Sequence, residues 1–376
     1  MKVLIAMDSF KGSVSSMEAA WAVSSGIKKV DPGAEITCFP AADGGEGTLD
    51  TLVTGCKGQK FSVEVTGPLG EKVQSAYGWL PEQKVAVMEL AQASGLTLVP
   101  EEKRDPLNTT SYGLGELIKD ALDRGARRFV IAIGGSATND GGMGMLRALG
   151  AKFTDNDGNE LEGYGRDVSK VSSIDLSGLH PAIFESEICA ACDVDNILCG
   201  ANGATYVYGP QKGADQKSVI ALDEALNNYG KLMEKAVGYK CMDWTGTGAA
   251  GGIGFAIASA LRGELRPGTE LILNYLGFGD AVLDADVVVT GEGCLDGQTP
   301  HGKVPCGVGR WAHDAGAFVI ALAGSIGNGA EAVLDEGIDA YFPVIRRPMS
   351  LEEAMDRKIT SENLAAAAEQ VFRLLV

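Results

Sequence analysis

Several glycine-rich stretches of this chain set carboxylates, hydroxyls and lysines beside backbone that can turn sharply, a combination suited to holding and moving a phosphoryl group. The fullest is Gly134-Gly135-Ser136-Ala137-Thr138-Asn139-Asp140-Gly141-Gly142. It follows the apolar run at residues 128–133 and opens a second apolar segment. That is the strand-to-helix position at which open α/β sheets bind ligands. Glycines there let the N–H groups of Gly134, Gly135 and Gly141 converge on an anion. Ser136, Thr138 and Asn139 add hydroxyl and amide donors, and Asp140 is suited to holding a metal or orienting a hydroxyl. A plain turn rarely needs so many glycines and polar groups together.

A second stretch, Ala42-Asp43-Gly44-Gly45-Glu46-Gly47-Thr48, also lies between an expected strand and an expected helix. A carboxylate such as Asp43 at a phosphate loop holds Mg2+ or accepts a substrate proton. A third, Gly291-Glu292-Gly293-Cys294-Leu295-Asp296-Gly297, follows the apolar run 286–290 and continues to Lys303. Residues 297–303 match G-x-x-x-x-G-K, but Val304 stands where a P-loop has its metal-binding hydroxyl, and Pro305 argues against an immediate helix. Lys303 therefore reads as a phosphate or carboxylate clamp outside a true P-loop. Lys11, in Asp8-Ser9-Phe10-Lys11-Gly12, is placed to neutralise an anion, and Gln211-Lys212 supplies another cation. Asp193 and Asp195, just past the run 188–191, suit a metal or a base. Gly246-x-Gly248-x-x-Gly251 has the letters of a dinucleotide fingerprint without its strand and acidic partner, so close helix packing or another nucleotide loop accounts for it better.

Other chemistries find less support. The three histidines are isolated and no nucleophile elbow occurs, which disfavours acyl transfer through a Ser-His pair. Eight scattered cysteines include one Cys-x-x-Cys, Cys189 and Cys192, in an apolar run without a second pair, which reads as structural thiols. With 32 basic and 50 acidic residues the net charge is −18, against a nucleic-acid footprint or an anionic membrane surface. The N-terminus lacks a signal-peptide pattern, so the expected location is the cytoplasm. Oligomeric state is left open by the sequence.

These loops need elements to hold them. A chain of 376 residues is long for one core, so two domains are expected. Residues 2–8 read as a buried strand, Ser15 or Ser16 as the cap of a helix, and residues 35–39 as a second strand, a βαβ unit. Three β-rich segments at 61–66, 74–80 and 84–90 lack intervening helices and predict a mixed or antiparallel sheet. Helices are expected at 111–123, 143–149, 218–237, 253–261, 307–315 and 362–375, with strands at 128–133, 187–191, 286–290, 318–323 and 339–342. The fold expected is two α/β domains. One is Rossmann-like with a parallel sheet built from both chain ends, residues 1–65 and 280–376, and the other is an inserted mixed α/β domain, residues 66–279, with a cleft between them.

Taken in order, the chemical stretches resemble the bacterial glycerate kinase family, the type that phosphorylates the 2-hydroxyl. The blocks that carry the likeness are those around Asp8–Gly12, Ala42–Thr48, Thr109–Gly113, Gly134–Gly142, Gly209–Ala214, Gly248–Gly252 and Thr290–Gly293, with Asp296, Gln298, Gly302, Lys303 and Pro305. The resemblance spans nearly the whole chain. It implies D-glycerate and ATP as substrates, 2-phosphoglycerate and ADP as products, and magnesium with the nucleotide. In that reading residues 134–142 and 292–303 hold ATP and its metal, with Asp140, Glu292 and Asp296 at the metal. Gly293 and Lys303 meet phosphate. Asp8, Lys11 and Lys212 meet glycerate, and Asp43 or Asp193 takes the hydroxyl proton. Kinases for another small hydroxy acid or for the 3-hydroxyl, and an inactive nucleotide sensor, are the competing expectations. Two positions depart from the family pattern: Cys294 stands where arginine is usual, and Ile197 where proline is usual. A thiol cannot replace a bidentate guanidinium.

Overall fold

The computed structural model describes residues 1–376. The chain forms thirteen strands: β1 (Lys2–Met7), β2 (Glu35–Pro40), β3 (Gln59–Thr66), β4 (Lys72–Leu80), β5 (Val85–Glu89), β6 (Arg128–Ala132), β7 (Lys152–Thr154), β8 (Ser173–Asp175), β9 (Glu187–Ala191), β10 (Glu264–Arg266), β11 (Val287–Leu295), β12 (Phe318–Ile326) and β13 (Ala340–Pro343). Two units result. The first comprises Met1–Asp43, Asp50–Lys57 and Pro267–Val376, and the second Gly44–Leu49 and Gly58–Arg266. The division differs from the expected 65/66 and 279/280 boundaries. β3 is a strand of the second sheet, and residues 267–279 pack with the first unit.

In the first unit both chain ends share one parallel sheet, ordered β13-β12-β11-β1-β2. β1 sits between β11 and β2, with Val3 opposite both Val287 and Ile36. Its alternation feeds two cores: Val3, Ile5 and Met7 pack on one face, Leu4 and Ala6 on the other. The helices Ser16–Val30 and Arg357–Phe372 cover the first face with Ala20, Val23, Ile27, Leu364 and Phe372. They approach so closely at Gly26 that a Cβ there would lie 2.0 Å from the Ala365 carbonyl oxygen. Ser15 caps the first helix, with Glu18 completing a capping box. Truncating the fully buried Ile5 to alanine in such a core costs about 2–5 kcal/mol.

Two elements here differ from expectation. β11 runs on through Gly291 to Leu295, a stretch expected as loop. Gly291 belongs inside the sheet because a Cβ would meet the Leu322 carbonyl oxygen at 1.9 Å. Pro305 does not delay the helix Val304–Asp314, since proline in the first turn removes no hydrogen bond.

The second unit holds a six-stranded mixed sheet, β10-β9-β6-β5-β4-β3. β3, β4 and β5 pair antiparallel, as their lack of crossover helices predicts, and β5, β6, β9 and β10 pair parallel. β7 and β8 form a separate antiparallel pair. The helix Gln216–Val237 starts at an Asp215 cap and ends at left-handed Gly238. No helix of either unit is long and apolar enough to cross a membrane.

Candidate active site

All five strands of the first sheet are parallel, so their carboxyl ends open on one edge. There a pocket of ≈ 410 Å³ is lined by Asp8 and Lys11 after β1, Asp43 after β2, Glu292, Gly293 and Cys294 within β11, and Lys303. Strand order turns at β1: β2 lies on one side and β11 on the other, which makes this edge a topological switch point. Ser16 ties two of the strand ends together. Its Oγ donates to the Met7 carbonyl at 2.7 Å and accepts from the Ala41 N–H at 2.8 Å. Nothing in the sequence distinguished Ser16 from an ordinary cap candidate.

The pocket is electrostatically loaded. Asp8 is 7% exposed and accepts from the Ser9 N–H at 2.7 Å. Burial first, then the neighbouring Asp43 and Glu292, push its carboxyl up to about 7, against the pull of Ser9 N–H and Lys11. Glu292 is likewise pushed up by burial, while Thr299 and Lys303 hold it down: Thr299 Oγ1 donates to its Oε1 at 2.6 Å, and Lys303 Nζ lies 3.2 Å from its Oε2. Lys303 also stands 3.5 Å from Asp296 Oδ1. Burial works against the Lys303 charge, but these two carboxylates outweigh it and raise its pKa. Lys303 precedes the helix Val304–Asp314 as its N-cap residue, so the P-loop-like run 297–303 forms a strand–loop–helix junction whose lysine is held by acids.

In the second unit the 134–142 loop leaves the carboxyl end of β6 as expected, but most of its polar side chains turn inward. Gly134 and Gly135 are exposed, whereas Ser136 is 7% and Thr138, Asn139 and Asp140 are each 0% exposed. Asp140, expected at the metal, is an internal brace. Its Oδ2 accepts from the N–H and Oγ of Ser111 at 2.8 and 2.7 Å and from Gly144 N–H at 3.2 Å, and its Oδ1 from Gly142 N–H at 3.0 Å. Asn139 Nδ2 donates to Thr205 Oγ1 at 2.9 Å, and Gly141 N–H to the Gly251 carbonyl at 3.0 Å. Thr138, Asn139 and Gly141, expected at phosphate, are thus enclosed within the second unit.

Lys212, expected to meet glycerate, is likewise enclosed. It is 2% exposed, and its Nζ donates to Ser136 Oγ at 2.8 Å and to the Thr138 carbonyl at 2.7 Å. Burial pulls its pKa down to about 7, with Asp140 opposing the fall. The glycines at 246–252 serve packing: a Cβ on Gly251 would lie 2.0 Å from the Thr138 carbonyl oxygen. Asp193 follows β9, whereas Asp43 belongs to the first unit.

The residue sequence reasoning missed here is Glu89. Ending β5 at 4% exposure, it accepts from Gly47 N–H at 2.9 Å and Leu49 N–H at 2.8 Å through Oε1, and from Gln92 Nε2 at 2.9 Å through Oε2. It fastens the second glycine stretch to the second sheet. There Gly45 approaches Gly134 so closely that a Cβ on Gly134 would lie 3.3 Å from the Gly45 Cα.

The profile of the Glycerate kinase family matches residues 3–376. The chain belongs to the glycerate kinase family. It is 47% identical over 356 residues to a glycerate kinase of Bacillus subtilis (strain 168), covering 95% of this chain and 93% of that one. It is 46% identical over 375 residues to a glycerate 2-kinase of Escherichia coli (strain K12), covering 100% of this chain and 98% of the relative. A crystal structure described, provisionally, as glycerate kinase 2 from Salmonella typhimurium LT2 superposes with a TM-score of 0.90 at 44% identity, covering 100% of this chain and 98% of that one. In this member of the family, Cys294 lines the pocket at the charged end of the first sheet.

Proposed function

We infer that this chain is an ATP-dependent kinase that phosphorylates D-glycerate on its 2-hydroxyl, yielding 2-phosphoglycerate and ADP. The observation that carries the reading is the charged pocket at the carboxyl edge of the first sheet, in a chain 46% identical to a glycerate 2-kinase along its length. Phosphoryl transfer depends on positioning and charge compensation more than on covalent chemistry. Lys11 and Lys303 supply cations at that edge, Gly293 offers backbone without side-chain obstruction, and Asp8 meets the polar groups of the acceptor. The exposed Gly134 and Gly135 remain the part of the 134–142 loop able to meet phosphate.

In the proposed step the 2-hydroxyl oxygen bonds to the γ-phosphorus and the bond to the β,γ-bridging oxygen breaks, releasing ADP. The hydroxyl proton passes to a carboxylate, Asp43 or Asp193. Magnesium is proposed with the nucleotide. No cage of three or more His, Cys, Asp or Glu side chains is present, and a nucleotide-borne magnesium needs only about one or two protein carboxylates. Glu292 and Asp296 fit that need, since both already gather around one positive charge, the Lys303 ammonium. Bound there, the ion would neutralise phosphate charge. A reaction that uses the ATP pool belongs in the cytoplasm.

Coupled ADP release with D-glycerate tests the activity, and NMR of the product tests the position. Phosphorus coupled to the C2 methine proton is the expected result. Coupling to the C3 methylene protons, or no glycerate-dependent ADP release, would overturn the inference.

A further inference from the structure

The pocket of the first unit is sorted by strand. Its charged residues stand at the ends of β11, β1 and β2, while Val344 and Ile345 after β13, with Leu351 and Met355 just beyond, make an aliphatic wall. Because the sheet is ordered β13-β12-β11-β1-β2, this sorting becomes a spatial gradient from apolar to charged along one edge. We propose that the aliphatic wall receives the base of the nucleotide, with its phosphates directed toward Lys11 and Lys303. This rests on the kinase reading above and locates one of its two substrates.

Three observations bear on it. Ile345, Leu351 and Met355 are 38%, 75% and 39% exposed. Single exposed apolar residues are ordinary, but their gathering around one concavity marks a binding surface. The pocket volume of ≈ 410 Å³ falls in the range of about 300–1,000 Å³ usual for small-molecule sites. Glycerate, a three-carbon acid with oxygen on every carbon, has no apolar face to lay on such a wall, whereas a purine has two. Finally, Asn363 lines the same pocket at 2% exposure, and its Oδ1 accepts from Arg346 Nε at 2.9 Å. That bond orients the amide and leaves its NH2 as the donor for a ring nitrogen. Aliphatic walls with one or two fixed polar groups are the usual make-up of such sites.

The exposed positions allow a clean test, because polar substitutions there do not open a core. Ile345→Ser and Leu351→Ser, singly and together, should raise KM for ATP and Kd for ADP by about tenfold in the double variant. KM for glycerate should move by less than about twofold. Inorganic tripolyphosphate, which has charge and no base, should inhibit wild type and variants alike. A rise in KM for glycerate would assign the wall to the acceptor, and unchanged ADP binding would leave it without this ligand. Either result overturns the proposal while leaving the kinase activity of the wild type intact. A wild type that binds ADP but transfers no phosphate to glycerate would instead overturn the function and not the pocket.

Discussion

Replacing Glu89 with alanine should release the 44–49 segment by an amount set by two hydrogen bonds. Glu89 Oε1 holds the Gly47 and Leu49 amides at 2.9 and 2.8 Å, in a residue 4% exposed. A hydrogen bond to an ionised group contributes about 1.5–3 kcal/mol, so losing both costs roughly 3–6 kcal/mol. At about 2–4 °C per kcal/mol for a domain of this size, the second unit should melt roughly 6–24 °C lower. Glu89→Gln keeps an oxygen for both amides and should cost only about 1 kcal/mol. Calorimetry reads the first quantity, and amide hydrogen exchange at Gly47 and Leu49 reads the local release. If the alanine variant melted within about 2 °C of wild type with exchange at those two amides unchanged, the fastening role of Glu89 would be refuted.

Lys212 supplies a pH signature. Its folded pKa of about 7 lies below the ordinary lysine value of 10.5, so between those values the unfolded chain binds more protons and stability rises with pH. The burial penalty is complete below pH 7 and fades toward 10.5. Wild type should therefore gain up to about 1.4 kcal/mol per pH unit above 7 relative to Lys212→Met, and urea midpoints of the pair that run parallel with pH would contradict this. Lys303→Met strips Glu292 and Asp296 of their common cation. It should lower kcat/KM for ATP about a hundredfold, and a steady-state loss under about threefold would remove Lys303 from the phosphate site. Gly251→Ala sets a Cβ 2.0 Å from the Thr138 carbonyl at a φ of +67°. It should cost about 3 kcal/mol or more in urea unfolding, and a stable variant would show the 138–141 segment free to move aside.

The strands were legible where apolar runs stand alone: residues 187–191 appear as β9 with the expected ends, and the helix predicted from Ser15 or Ser16 carries its capping box at Ser15. The union of the chain ends in one sheet followed from the βα order at both termini. What the sequence concealed is direction. Thr138, Asn139 and Asp140 look the same whether they meet a ligand or each other. Thr205, the partner of Asn139, and Ser111, the partner of Asp140, are remote along the chain, so no local pattern reveals that these side chains turn inward. Gly291 misled for a related reason: a glycine that makes room for a neighbouring strand resembles one that makes a turn. Glu89 reads as the end of an apolar strand, and only the approach of Gly47 and Leu49 gives it a role.

The pairing of β1 with β11 bears on how the protein is born. Val3 waits for Val287, while β3 through β10 find all their sheet partners within residues 59–266. On the ribosome the inserted unit can close its sheet while β1 and β2, a two-stranded parallel fragment, still lack their neighbours. Parallel pairs of such separation form slowly and leave edges open meanwhile. The amino-terminal strands are thus expected to be the segment that depends longest on chaperones during synthesis, gaining protection from exchange only after β11 has emerged.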